Sequence, residues 1–184
     1  MTHRASSILA SAALLLALVV PVGAMPPDRI PFTVDDMFQS GLLTRVCGTP
    51  IWVHVQGTGT IFLFYDNGGQ LVREIDVMPG GLTWTYSAPT TGKTFTQTVH
   101  TPTTYLFPEG VFEGAPALAI YHGVQHTSGA GSPRIVGREA REAFVDGISA
   151  EGVPLVSVGD TIWQAGQFDV GPVVAARCAL LIDP

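Results

Sequence analysis

The sequence predicts an all-β fold: an antiparallel up-and-down β-barrel with a short C-terminal helix, or alternatively a two-sheet β-sandwich. Three observations predict it. Short runs of alternating apolar and polar residues fill the chain from Ile51 onward. Gly/Pro-rich turn signals separate them at about ten-residue intervals. The stretch Ile61-Phe62-Leu63-Phe64-Tyr65 is apolar on both faces, so both need cover. A meander of this kind hides its edges best by closing on itself.

Residues 1–24 read as a signal peptide. Arg4 gives a positive start, Ile8 to Val20 an apolar run, and Val22-Gly23-Ala24 the small residues before a cleavage site. The run is about 13 residues, against about 20 for a membrane span. The expected mature chain, Met25 to Pro184, has no membrane span and is secreted. Residues 25–41 read as a lead-in carrying a short helix. Thr33 would cap it, Asp35 and Asp36 would fill its first turn, and Gly41 would end it.

Residues 42–184 read as one β domain. Ile51, Val53 and Val55 alternate with Trp52, His54 and Gln56, and Gly57-Thr58-Gly59 breaks or bulges the run. Asp66-Asn67-Gly68-Gly69 is a strong hairpin turn. Leu71, Arg73, Ile75 and Val77 then alternate against Val72, Glu74 and Asp76. Pro79-Gly80-Gly81 turns the chain into Leu82, Trp84 and Tyr86, which share a face. Pro89 to Gly92 is the next turn, followed by Phe95, Gln97 and Val99 opposite a row of threonines. Thr103 to Phe107, Ala117 to His122 and Pro133 to Val136 are further strands. Arg138 to Val145 suits helix or strand, with strand preferred and a turn at Asp146-Gly147. Leu155 to Val158 and Thr161 to Gln164 form the last strand, and Val173 to Ile182 a short helix.

The nine Lys and Arg fall to eight once Arg4 is removed, against fifteen acidic residues, for a net charge of −7. That balance argues against nucleic acid and against anionic membranes as partners. The only Asn is Asn67, which lies in no N-glycosylation site. Two cysteines, Cys47 and Cys178, form an even pair that an oxidising compartment would join. The disulfide would close a loop of about 130 residues, contributing about 4–5 kcal/mol by the chain-entropy estimate.

The segments Val46-Cys47-Gly48-Thr49-Pro50, Gly59 to Arg73, Thr83 to Lys93 with its Ala88-Pro89-Thr90-Thr91-Gly92-Lys93 turn, Pro133-Arg134-Ile135-Val136 and a Cys near the C-terminus occur in that order. Together they resemble an uncharacterised family of secreted bacterial β-rich proteins of lipocalin-like appearance. The resemblance implies an extended antiparallel fold and no known activity. The chain departs from that pattern over Arg138 to Gly152.

No motif assigns catalytic residues, a metal or a cofactor. His122 and His126 are four apart, a metal-binding spacing on a helix, but on a strand they lie about 13 Å apart. There is no Gly-x-Ser-x-Gly elbow, and Ser149 and Ser157 read as loop and strand residues. Asp35-Asp36 is explained by a helix start. The aromatics carry the leading expectation. Trp84, Tyr86, Tyr105 and Tyr121 would line a barrel interior that binds a small apolar or amphipathic ligand. Two other expectations stand beside it. One is an extracellular or envelope-associated interaction protein without a pocket, suggested by the doubly apolar 61–65 stretch. The other is a cyclase- or isomerase-like barrel enzyme using His54 or His100 as acid/base.

Overall fold

The structure is a computed structural model that describes residues 26–126, 134–167 and 170–182. The expected signal peptide, 1–24, lies outside the described residues. The elements are β1 (Asp28–Gln39), α1 (Gly41–Cys47), β2 (Trp52–Tyr65), β3 (Leu71–Val77), β4 (Leu82–Ala88), β5 (Lys93–His100), β6 (Thr103–Leu106), β7 (Pro116–His126), β8 (Arg134–Ile148), β9 (Pro154–Gln167) and α2 (Val170–Ile182). All nine strands belong to one sheet, and every pairing is antiparallel. One sheet replaces the two of the sandwich expectation.

The nine strands form seven rows that follow the chain in order. β3 and β4 lie end to end along β2, β3 against its second half and β4 against its first. β5 and β6 likewise run end to end between the β3–β4 row and β7. Both breaks have a local cause. Between Gln56↔Thr83 and Thr60↔Val77, three residues of β2 face five of the opposing row, among them Pro79-Gly80-Gly81. β2 therefore runs straight through Gly57-Thr58-Gly59, and the break expected there falls on its partner. In the next row Thr101-Pro102 interrupts the ladder, because proline has no N–H to donate. Its carbonyl still accepts a hydrogen bond from the His122 amide at 3.0 Å.

The sheet is not closed. β1 and β9 are its two edges, and no ladder joins them among the described residues. It nevertheless curls. Ile30 of β1 and Val156 of β9 pack against the same buried cluster as Leu63, Phe107, Ala119 and Val145.

Residues 28–39 form a strand, which overturns the short helix expected within 25–41. Ile30, Phe32 and Val34 alternate toward the concave face opposite Ile61, Gly59 and Gly57. This period of two outweighs the acidic pair Asp35-Asp36. Pro31 is tolerated because β1 is an edge strand. The helix comes later, where the Ser40 side chain accepts from the Leu43 amide at 3.3 Å and Gly48, at φ 70°, ends it. β8 is one strand from Arg134 to Ile148, so the chain turns at Ser149 rather than at Asp146-Gly147. Its ladder with β9 shifts register at three places.

Two apolar cores occupy the two ends of the concave face. In the first, Val53, Val55, Tyr86 and Ala88 meet Leu43 and Cys47 of α1 and Val174, Cys178 and Leu181 of α2. The Cys47–Cys178 disulfide is formed, with the Cα atoms 5.3 Å apart. It joins helix to helix. The second core lies under β2, β3, β6, β7 and β8.

Candidate functional site

The site grows from a β-bulge. The pairing of β2 with β3 slips between Phe64 and Tyr65, so Tyr65 pairs with Leu71 and Phe64 with Arg73. Leu71 faces the core. Past the slip the alternation is inverted, because one extra residue exchanges the two faces of a strand. Glu74 and Asp76 turn inward beside Leu63 and Ile61, and Arg73 turns outward, its guanidinium 4.0 Å from the Phe64 ring centroid. Across the next rows, Glu74 pairs with Tyr105 and Asp76 with Thr103, and these pair in turn with Ala119 and Tyr121. The concave face here is thus a polar band set within an apolar core.

Glu74 is only 3% exposed. Both carboxyl groups are pushed up, Glu74 to about 8 and Asp76 to about 6, chiefly by burial. For Glu74 the Asp76 charge and a hydrogen bond between the two groups add to the rise. The pair therefore shares one proton near neutral pH, with Glu74 donating to Asp76. One oxygen of each, Glu74 Oε2 and Asp76 Oδ1, is buried with no hydrogen-bond partner among the described residues. Burial also pushes the Tyr105 and Tyr121 phenols up, so both stay protonated.

Further along the band, Glu139 Oε1 accepts from Arg141 Nε at 2.9 Å, Thr161 Oγ1 at 2.6 Å and Gln164 Nε2 at 3.1 Å. Burial opposes ionisation of Glu139, but these three donors outweigh it and hold its carboxyl below the usual range. Glu139 is satisfied as a carboxylate, whereas the Glu74–Asp76 pair is not.

A cavity of about 290 Å³ opens onto this pair. Phe32 and Ile61 form one wall and the Val153–Val156 segment the opposite one, with Glu74, Asp76 and Tyr105 between them. The cavity therefore occupies the gap between the sheet's two edges. Phe32 reaches it because Gly59 lies directly beneath. A Cβ on Gly59 would run into the Phe32 ring and come within 2.7 Å of the Val77 carbonyl oxygen.

The four aromatic residues expected to share one pocket are divided. Tyr105 lines the cavity and Tyr121 stands beside it. Trp84 and Tyr86 belong to the other core, where Tyr86 stacks on Phe95 at 4.6 Å and accepts a hydrogen bond from Gln97 Nε2 at 3.0 Å. Arg177 of α2 covers the Tyr86 ring at 5.0 Å. There Trp84, Tyr86 and Phe95 pack against the buried residues of both helices. His54 and His100 alternate with the buried Val53, Val55 and Val99 and so lie on the convex face, away from the cavity. There His54 Nε2 meets Asp35 Oδ1 at 2.6 Å, and this contact holds the Asp35 carboxyl down. The acid/base roles considered for these histidines find no support in this placement. His122 lies in strand β7, and the side chain of His126 lies outside the described residues.

Sequence reading placed Glu74 and Asp76 with Val72, opposite Leu71, Arg73, Ile75 and Val77, and did not single them out. The signal that places them inside is the bulge, which strand alternation alone does not reveal. Among family models, curated proteins and solved structures, none matches this chain.

Proposed function

We propose that this is a secreted binding protein that holds a small amphipathic molecule in the cavity between β1 and β9. The observation that carries this reading is the cavity itself, with apolar walls and a polar floor. At about 290 Å³ it suits a small ligand, near the lower end of the usual range of about 300–1,000 Å³. The curled sheet supports a barrel-like container that is left open along one seam. The Cys47–Cys178 disulfide supports an oxidising compartment. Native mass spectrometry of protein purified gently from the medium of a secreting host tests the reading. An added small-molecule mass that organic solvent releases is the expected result. A bare chain that also fails to take up amphipathic probes added afterwards would overturn it.

A second reading, an extracellular interaction protein, is favoured by a different observation. The β8–β9 hairpin ends in an edge strand that exposes Leu155, Val158, Ile162 and Trp163. The doubly apolar 61–65 stretch no longer argues for a partner. Its inward residues are buried in the second core, and Arg29 and Arg73 lie over Phe62 and Phe64 on the outside.

A further inference from the structure

We propose that the cavity selects a ligand with a protonated amine head group and a short apolar tail, the amine seated against Glu74 and Asp76. This rests on the ligand-binding reading above and specifies its chemistry.

The walls alone would accept any short apolar chain. The floor discriminates. Glu74 lines the cavity, is almost fully buried, and has an oxygen without a donor. Asp76, two residues along the same strand face, lines the cavity and has a second such oxygen. A buried acceptor without a donor is costly and is normally satisfied. The proton shared within the pair serves at most one of these oxygens, so the missing complement is a group that brings N–H donors and no acceptor of its own, which describes an ammonium. A carboxylate or phosphate head would add acceptors to a site that already has too many.

Charge points the same way. Burial raises both acids, so the pair keeps one proton and one negative charge near neutral pH. The remaining titratable neighbours are Tyr105 and Tyr121, both held neutral, and Glu139 with Arg141, which satisfy each other. One positive charge on the ligand therefore balances the floor. The contacts formed are charge-assisted hydrogen bonds to a carboxyl pair that is itself largely buried, and these are stronger than bonds between neutral groups.

Octylamine, octan-1-ol and octanoate share a tail and differ in the head, so calorimetric titration of the purified protein with each separates the possibilities. Octylamine is expected to bind about tenfold or more tightly than octanol, the difference that charged hydrogen bonds supply, and octanoate more weakly than either. Asp76→Asn, which removes the carboxylate that carries the pair's negative charge, and the double variant Glu74→Gln/Asp76→Asn should each bring the amine to within about threefold of the alcohol while leaving alcohol binding in place. Two variants are used so that one failing to fold does not end the test, and far-ultraviolet circular dichroism verifies each. Equal binding of amine and alcohol to the wild-type protein would overturn the amine proposal and leave the cavity reading intact. Tighter binding of octanoate would overturn it in the same way. Binding of none of the three would overturn both.

Discussion

At the residue scale, the chain's chemistry turns on two carboxyl groups that strand alternation assigns to the wrong face. Leu71, Arg73, Ile75 and Val77 read as one face of the strand, with Val72, Glu74 and Asp76 on the other. The bulge opposite Phe64 and Tyr65 exchanges the faces after Leu71. Arg73 then finds an aromatic ring outside, and Glu74 is left among Leu63, Tyr105 and Ala119. Burying an acid here has a pH signature. Because burial raises both acids, the folded protein keeps protons that the unfolded chain has released. Stability therefore falls as pH rises from the ordinary carboxyl range, near 4.5 for Glu74, toward about 8. Glu74→Gln mimics the protonated acid at every pH. Thermal melts of ligand-free protein should show the variant and wild type alike near pH 5. Near pH 8.5 the variant should be more stable by about 1–3 kcal/mol, a Tm gain of about 2–4 °C for each kcal/mol. A constant difference across that range would mean that Glu74 is not a raised acid.

At the element scale, most strands were legible because their turns are chemically explicit. Asp66 Oδ1 accepts from the amides of Gly68 and Gln70, both at 2.8 Å, closing the hairpin its sequence announces. The C-terminal helix was legible too, and its Cys178 meets Cys47. The N-terminal strand was not. Asp35-Asp36 is a fair helix start in isolation, but the inward alternation of Ile30, Phe32 and Val34 has a partner strand to satisfy it. That tertiary partner is what local propensity cannot see. β1 in turn depends on one glycine. Gly59 leaves room for the Phe32 ring to cross β2 and wall the cavity. Gly59→Ala should displace Phe32 and push against the Val77 carbonyl, costing about 1–3 kcal/mol. It should also weaken octylamine binding without altering the other core. The near-ultraviolet dichroism of the Trp84, Tyr86 and Phe95 group reports on that second point. Unchanged affinity in a destabilised variant would show that Phe32 is not part of the binding wall.

At the scale of the whole molecule, the order of strands was readable and the closure was not. A meander of neighbouring rows follows from short turns, and the structure keeps that order throughout. Whether the last row returns to the first depends on curvature, bulges and register, none of which a single strand encodes. Here the rows curl without joining, and the unjoined seam holds the cavity. The ends of the sheet consequently do different work. One end is packed by aromatic rings and two helices, and the Cys47–Cys178 disulfide and the Thr91 hydroxyl, which donates to the Leu181 carbonyl at 2.6 Å, hold it together. The other end carries the carboxyl pair and the open space. Stability and binding should therefore separate. Replacing both Cys47 and Cys178 by Ser removes a link across 131 residues of sequence. The loss should be about 2–5 kcal/mol, read as a lower Tm in thermal melts. In the fraction still folded at low temperature, octylamine affinity should stay within about twofold of wild type, a difference well under 1 kcal/mol. A large loss of affinity in folded double variant would mean that the helical end shapes the cavity through the sheet and that the two ends act as one unit.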